Sequence, residues 1–153
     1  MKKIFVGILA LGMLGFAFTL KPTEVKEVKQ EQTEKVVGVD FFHGTWEEAL
    51  AKAEKENKLI FLDAYTDWCG WCKRLDATTL KDKAVGEFFN KNFVNVHMEM
   101  EKSKDGPRLA KKMAIRGYPA LFFINGKEEV KHFVAGYVKA DRLLNEGAIA
   151  LKK

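Results

Sequence analysis

The chain has 153 residues, enough for one ordinary domain with short appendages. Hydrophobic residues make up 47% of the chain and charged residues 31%, a composition that is typical of a globular protein and excludes wholesale disorder. The formal net charge is +5, but basic residues are interspersed with acidic ones and form no long basic run. This pattern argues against nucleic acid as a partner.

The first twenty residues differ from the rest of the chain. Lysines at positions 2 and 3 precede an uncharged apolar stretch, residues 4–20, and the small residues Gly15 and Ala17 suit cleavage after Ala17. Residues 1–20 are therefore interpreted as a signal peptide. An uncleaved membrane anchor is the alternative, because the stretch is at the lower limit for a bilayer span. Either interpretation places the domain outside the cytoplasm, in the periplasm of a bacterium.

Residues 21–37 are predicted to be a charged linker. They contain four lysines, four glutamates, four valines and no aromatic residue, which is too little apolar surface to offset the entropy of ordering. A short charged helix is the alternative. The folded domain is then expected over residues 38–153.

From residue 38 the sequence predicts the order β-α-β-α-α-β-α-β-β-α. Thr45 and Glu48 form a capping box that starts a helix, and Asn125-Gly126 is a strong hairpin-turn pattern. The predicted strands are residues 39–42, 59–62, 93–98, 120–124 and 128–134, and the predicted helices are residues 45–57, 72–76, 82–91, 107–113 and 140–153. Crossover units followed by a hairpin predict an α/β domain, with a mixed sheet of four to five strands flanked by helices on both faces.

The two cysteines, Cys69 and Cys72, stand at the junction of a buried strand and a helix. Free N–H groups and the dipole at a helix N-terminus favour a thiolate, so Cys69 is the candidate exposed nucleophile. Cys72 lies one turn later on the same face and can attack the mixed disulfide that forms. Gly70 between them permits close approach of a partner chain, and Trp68 and Trp71 offer aromatic surface near the sulfurs.

Two other roles for the cysteines compete with redox chemistry. A structural disulfide across so short a loop constrains the unfolded chain little. A zinc site needs further ligands, and the remaining soft candidates, His43, His97 and His132, are scattered without ligand-like spacing. The sequence therefore favours a redox pair and predicts no metal site.

The segment around the cysteines also carries a family resemblance. Residues 61–73, FLDAYTDWCGWCK, resemble the active-site segment of thioredoxins. Residues 115–119, IRGYP, resemble the segment that bears the family's cis-proline, and residues 122–127, FFINGK, resemble its hairpin. The similarity covers about residues 38–153 and implies a thioredoxin-like fold.

Other stretches narrow the resemblance. Residues 46–50, WEEAL, and the long segment between Cys72 and Phe93 are more similar to exported bacterial thioredoxin-like proteins than to cytosolic thioredoxin. They also resemble the C-terminal domain of thiol:disulfide interchange proteins.

The resemblance assigns roles to further residues. It implies that Asp63 is a buried acid beneath the cysteines, which exchanges a proton with Cys72. The alternative for Asp63 is an ordinary strand-end carboxylate hydrogen-bonded to backbone. It also implies that Pro119 is cis and packs against the disulfide, while the Tyr118 backbone pairs with an extended substrate segment. Lys73 is a supporting residue by the same resemblance.

Two positions depart from the usual thioredoxin pattern. Gly70-Trp71 replaces the common Gly-Pro between the cysteines, and His97 falls where many thioredoxins have a lysine near the buried acid. His97 could change how Asp63 titrates, although a strand histidine is more often simply packed or solvent-facing.

The sequence thus predicts an exported thiol:disulfide oxidoreductase that uses Cys69 and Cys72 without a bound cofactor. Net reduction of disulfides in exported proteins is expected, because the chain lacks a DsbA-like helical insertion, and electrons would come from a membrane thiol donor. An N-terminal membrane tether is compatible with this role. The alternatives are an oxidase or isomerase of the same fold, and a non-catalytic binding module that uses the Tyr118-Pro119 groove.

Overall fold

The computed structural model describes residues 37–153, which belong to one compact unit of the chain. The signal peptide or anchor predicted for residues 1–20 lies outside the described residues, as does all of the predicted linker except Val37. Within residues 37–153, no helix has the length and apolar character needed to cross a bilayer.

Helices and strands alternate along the described chain, as the periodicity predicts. They are α1 (Trp46–Glu56), β1 (Leu59–Tyr65), α2 (Gly70–Ala77), α3 (Lys83–Asn92), β2 (Phe93–Glu99), α4 (Gly106–Lys112), β3 (Ala120–Ile124), β4 (Val130–Ala135) and α5 (Ala140–Ala150). A 3₁₀ turn, Thr79–Lys81, connects α2 and α3. The capping box at the start of α1 is formed in both directions between Thr45 and Glu48.

The four strands form one mixed sheet in the order β2-β1-β3-β4. Strand β1 pairs parallel with β2 and antiparallel with β3, and β3 pairs antiparallel with β4. The crossover from β1 to β2 runs through α2 and α3, while a loop joins β3 to β4, so the parallel and antiparallel pairings follow from the connections. The predicted α/β fold with a mixed sheet is confirmed.

Apolar residues form two cores, one on each face of the sheet. Successive side chains of a strand point to opposite faces, so Phe61 packs in one core while Ile60 and Leu62 pack in the other. The Phe61 core is closed by residues of α2, α3 and α5, and the second core by residues of α1 and α4. Because Asp63 is two residues beyond Phe61, it points to the face covered by α2.

The predicted strand at residues 39–42 is wrong. The segment belongs to no strand and makes isolated hydrogen bonds in place of a ladder: Val39 N donates to Leu80 O (2.7 Å) and Phe42 N to Asn95 O (2.8 Å). The Asn95 side chain occupies the intervening position, since its Nδ2 donates to Asp40 O (3.0 Å). Side-chain amide pairing thus replaces the backbone pairing that a fifth strand requires.

The loop predicted around Asn125-Gly126, residues 125–127, is too short. The loop runs over residues 125–129 and β4 starts at Val130, two residues later than predicted. Asn125 Oδ1 accepts hydrogen bonds from the N–H groups of Lys127 (3.0 Å) and Glu129 (2.9 Å), which stabilises the wider loop. Glu128 adopts a left-handed conformation, φ 61°.

Candidate functional site

The two cysteines lie where strand β1 gives way to helix α2, as the sequence predicts. Cys69 is the N-cap of α2, and its Sγ accepts a hydrogen bond from Cys72 N (3.1 Å). The two residues are joined by a disulfide, with their Cα atoms 5.3 Å apart. Once the bond is reduced, the same N–H group and the helix dipole favour a thiolate on Cys69.

Both cysteines are less exposed than an open nucleophile would be. Cys69 is 4% exposed and Cys72 is 1% exposed, so the order of accessibility matches the prediction but the expected exposure of Cys69 does not. Gly70 does not adopt a left-handed conformation, and a Cβ atom there would meet no atom of another part of the fold within 4 Å. The surface beside Cys69 is therefore open to an approaching chain. Lys73 is exposed on α2.

Aromatic residues flank the disulfide on two sides. The exposed Trp68 ring meets the Tyr118 ring edge-on, with centroids 6.0 Å apart, and its Nε1 donates to Glu101 (3.1 Å). The exposed Trp71 ring lies against Tyr137, 5.7 Å between centroids. Trp68 and Trp71 thus present exposed aromatic surface next to the cysteines, and each also packs against a neighbouring tyrosine ring.

The Arg74 side chain also contacts the aromatic pair Trp71–Tyr137. The Arg74 guanidinium lies 5.4 Å from the Trp71 ring and 5.3 Å from the Tyr137 ring, within the range of cation–π attraction. Trp71 therefore packs against both side chains, which the sequence alone did not reveal.

The proline loop adopts the conformation that the resemblance implies. The Tyr118–Pro119 peptide bond is cis. Pro119 is buried, its carbonyl accepts a hydrogen bond from Gly136 N (2.8 Å), and the Trp68–Tyr118 contact brings this loop beside the cysteine motif.

Asp63 is fully buried on β1. Neither carboxylate oxygen has a hydrogen-bond partner among residues 37–153, which contradicts the alternative of an ordinary carboxylate bonded to backbone. Burial, and secondly the negative charge of Asp76, raise the pKa of Asp63 well above its ordinary value. A buried carboxyl of this kind carries its proton to higher pH than an exposed one.

His97 is the polar neighbour of Asp63. Its Nε2 lies 3.4 Å from Asp63 Oδ2 and 3.6 Å from Asp76 Oδ1. The imidazole stacks on Tyr65 (4.0 Å between centroids) and on Phe41 (5.1 Å), so its ring plane is fixed between two aromatic rings. Burial lowers the pKa of His97, and Asp76 partly offsets this effect.

Asp76 is the third member of the cluster formed with Asp63 and His97, and the sequence did not predict its presence at the site. It is half-buried, and burial raises its pKa while His97 and Lys81 lower it. Its position four residues after Cys72 places both on one face of α2, a spacing that could have identified it. Tyr137 and Arg74 were missed too, since they reach the site only through contacts with Trp71.

The carboxyl–histidine cluster is the group that comes nearest to a metal site. Donor atoms of Asp63, Asp76 and His97 all lie within 4.8 Å of one another. The set supplies three ligands, one from a carboxyl whose pKa is raised by burial, and neither cysteine belongs to any such group in the described part of the chain. His132 instead pairs with Glu146 (2.6 Å). The zinc alternative for the cysteines therefore has no support from this geometry.

Comparison with known proteins identifies the class. Residues 42–126, more than half of the chain, match the family described as Thioredoxin-like. The chain belongs to this family, and its relatives include thiol:disulfide interchange proteins.

Two solved structures show the relationship in detail. A candidate disulphide-isomerase from Bacteroides thetaiotaomicron is 41% identical, with a TM-score of 0.68 over 77% of this chain and 97% of that one. The oxidised C-terminal domain of Neisseria meningitidis DsbD is 27% identical, with a TM-score of 0.56 over 69% of this chain and 95% of that domain. The chain thus resembles the DsbD C-terminal domain.

Among full-length relatives, the thiol:disulfide interchange protein DsbD of Vibrio cholerae is 30% identical over 162 aligned positions. The alignment covers 95% of this chain but 26% of the Vibrio protein. Spermatogenesis-associated protein 20 of Rattus norvegicus is 37% identical over 39% of this chain and 8% of its own length. The chain therefore spans about a quarter of the Vibrio protein and less than a tenth of the rat protein.

Proposed function

We propose that this protein is an exported thiol:disulfide oxidoreductase whose net activity is the reduction of disulfides in other exported proteins. The observation that carries the proposal is the Cys69–Cys72 disulfide at the N-terminus of α2, which follows the strand that bears the buried Asp63 and lies beside the cis Tyr118–Pro119 loop. The similarity to DsbD proteins supports the same class of chemistry.

The exchange proceeds in two displacements. The Cys69 thiolate attacks one sulfur of the substrate disulfide, forming a mixed disulfide and releasing the other substrate sulfur as a thiolate. The Cys72 thiolate then attacks Cys69 Sγ, which frees the second substrate thiol and closes the Cys69–Cys72 bond. The substrate gains two electrons, the protein loses two, and no bound cofactor takes part.

Proton transfer at Cys72 is the role proposed for Asp63. Cys72 is buried and must lose its proton before it can attack. An ionised Asp63 accepts this proton directly or through a water molecule, and its raised pKa matches it to proton exchange at higher pH than an exposed aspartate. Tyr118 presents its backbone to the extended substrate segment, while Trp68, Trp71 and the exposed Lys73 line the approach.

The proposed setting is the bacterial periplasm. The apolar N-terminal residues support export, as a cleaved signal peptide or as a membrane tether. Continuous turnover as a reductase then requires a membrane thiol donor, because every cycle ends with an oxidised Cys69–Cys72 pair.

The test is to express the full chain with Cys72→Ala in a bacterium and isolate mixed disulfides formed on Cys69. Exported proteins should accumulate on this variant and be released by dithiothreitol. The Cys69→Ser/Cys72→Ser variant is the control and should trap none. If trapping fails, protein disulfides are not the substrates; if the double variant retains the biological function, the protein acts as a non-catalytic binding module.

An isomerase is the second candidate, favoured by the 41% identity to the Bacteroides candidate disulphide-isomerase. Equilibration with glutathione distinguishes the two directions, because redox proteins of this kind span roughly −270 to −120 mV. A potential at the reducing end supports the reductase. A potential near the oxidising end, together with reactivation of scrambled ribonuclease, supports the isomerase or oxidase.

A further inference from the structure

A cavity of about 660 Å³ opens between the α4–β3 connection and strand β4. Its apolar lining comprises Met113, Ile115, Tyr118, Phe122, Val130 and Phe133, and it is called the Phe133 groove below. The proposed exchange reaction makes no use of this groove beyond Tyr118. It needs a separate explanation, because monomeric proteins rarely expose contiguous apolar surface without a binding role.

Phe133 is a large exposed side chain in the lining of the groove. Its ring stacks on Phe122, 4.7 Å between centroids, yet 47% of the residue remains exposed. Val130 on the same strand is also exposed. The underlying Phe122 fixes the Phe133 ring, so one of its faces is available to a ligand at little entropic cost.

The groove is continuous with the substrate-binding loop of the proposed function. Tyr118, which belongs to the cis-proline loop, and Gly136, whose N–H donates to Pro119 O, both line the groove. From that end the groove follows β4 to Val130, roughly 20 Å at about 3.3 Å per residue. A chain that pairs with Tyr118 and continues in the extended conformation would place about six residues along it.

Two features indicate what kind of polypeptide segment the groove can bind. The charged residues of the lining, Lys112 and Arg116, are both basic. Lys112 pairs with Glu128, while Arg116 is exposed and forms no ion pair within residues 37–153. Strand β4 pairs only with β3 in the described sheet, so its outer edge can pair with an added strand.

We propose that the Phe133 groove binds an extended apolar segment of the disulfide-bearing substrate, with an acidic side chain opposite Arg116. The proposal rests on the proposed exchange function and specifies its substrate class. An extended apolar segment is accessible in a polypeptide that is not fully folded. The preferred substrates are therefore incompletely folded chains.

The experiment compares two peptides of equal length, each with one cysteine in a mixed disulfide with glutathione. In the first peptide, leucine, phenylalanine and glutamate follow the cysteine at the positions that would reach the groove, and in the second peptide these positions are serine. A second pair of peptides carries the same residues before the cysteine. Reduced wild-type protein should oxidise with a kcat/KM about tenfold higher for the apolar peptide of one pair. Replacing the glutamate with lysine should reduce this preference.

Phe133→Glu should abolish the preference, and Val130→Glu should weaken it. Leu151→Glu is the matched control, because Leu151 is 46% exposed but lies at the end of α5 and does not line the groove. The rate with oxidised glutathione should be the same in all variants, which verifies that they are folded.

Each failure has a distinct signature. Equal kcat/KM for the apolar and serine peptides, or a preference that survives Phe133→Glu, overturns the groove proposal while leaving exchange intact. A wild-type dimer that Phe133→Glu dissociates would mean that a second copy covers the groove, and also overturns it. No reaction with any peptide or with oxidised glutathione would overturn the proposed function itself.

Discussion

Asp63 is a carboxyl group that folding removes completely from water. The His97 ring nitrogen Nε2 lies 3.4 Å from its Oδ2. The lack of hydrogen-bond donors within the described chain makes the ionised form costly, so Asp63 carries a stability penalty at neutral pH that its proposed role in proton transfer explains.

Asp63→Asn should stabilise the oxidised protein at neutral pH by at least about 1 kcal/mol. Because the pKa of Asp63 is raised in the folded protein, the wild type loses stability as the pH rises from 3.8, the pKa in the unfolded chain, towards the higher pKa in the folded protein. The asparagine variant has no ionisable group at this position and does not lose stability in this way. Urea unfolding at pH 3.5, 5.5 and 7.5 should show a difference that grows with pH. Asp40→Asn, at an exposed position, is the control. A stability difference between variant and wild type that does not change with pH would contradict the raised pKa of the buried Asp63.

His97→Leu tests the polar neighbour of Asp63. The substitution keeps the site buried but removes the nitrogen that faces the carboxylate, so the pKa of Asp63 should rise further. The ascending limb of the pH–rate profile for disulfide exchange should move to higher pH by roughly one unit. His43→Leu, in an exposed loop, should leave the profile unchanged. An unshifted profile in the His97 variant would mean that His97 only packs.

At the scale of elements, Glu128 joins parts of the fold that are distant in sequence. Its carboxylate accepts hydrogen bonds from Trp46 Nε1 of α1 (2.6 Å) and from Arg108 of α4 (2.9 and 3.1 Å), and it pairs with Lys112. The bond from Arg108 is the main cause that lowers the pKa of Glu128 to about 2. These contacts stabilise the left-handed conformation of Glu128 and with it the wide β3–β4 loop.

Glu128→Gln should destabilise the protein by about 1 to 2 kcal/mol at pH 7, less than the pKa shift alone implies because ion pairs near the surface are screened. A lowered folded pKa stabilises above the unfolded value of 4.5, and this contribution disappears as pH falls through about 2. Urea midpoints of variant and wild type should therefore converge between pH 4.5 and 2. The neighbouring Glu129→Gln, more than half exposed, should cost far less.

At the scale of the whole molecule, stability comes from two cores on a four-stranded sheet rather than from the cross-link. The disulfide closes a loop across three positions of the chain, whereas the cores include residues from Val39 to Ala150. The redox pair can therefore open and close without loss of the fold, as repeated turnover requires.

Cys69→Ser/Cys72→Ser should consequently lose at most about 2 kcal/mol of unfolding free energy relative to the oxidised protein, since the loop-entropy contribution of so short a loop is small. Urea unfolding of the oxidised, reduced and double-serine proteins provides the comparison. Near-ultraviolet circular dichroism should retain its tertiary signal in all three. Loss of that signal on reduction would mean that the cross-link stabilises the fold directly.

Much of the fold follows from local patterns. The apolar run at residues 59–62, the Thr45 capping box and Pro107 predict their elements because propensity and capping act over one or two turns. The segment at residues 39–42 could not be predicted, because the Asn95 side chain from a distant strand occupies its pairing position. The five-residue hairpin loop likewise depends on the distant partners of Glu128.

The sequence by itself determined the class of chemistry, because Cys69 and Cys72 are neighbours in the chain and their strand-to-helix context is local. Resemblance added Asp63 and the cis Pro119. Only the tertiary structure brought His97 and Asp76 to Asp63, fixed Trp71 against Tyr137 and Arg74, and opened the Phe133 groove. These contacts join residues that are far apart in sequence, and strand register and helix packing alone decide which of them meet.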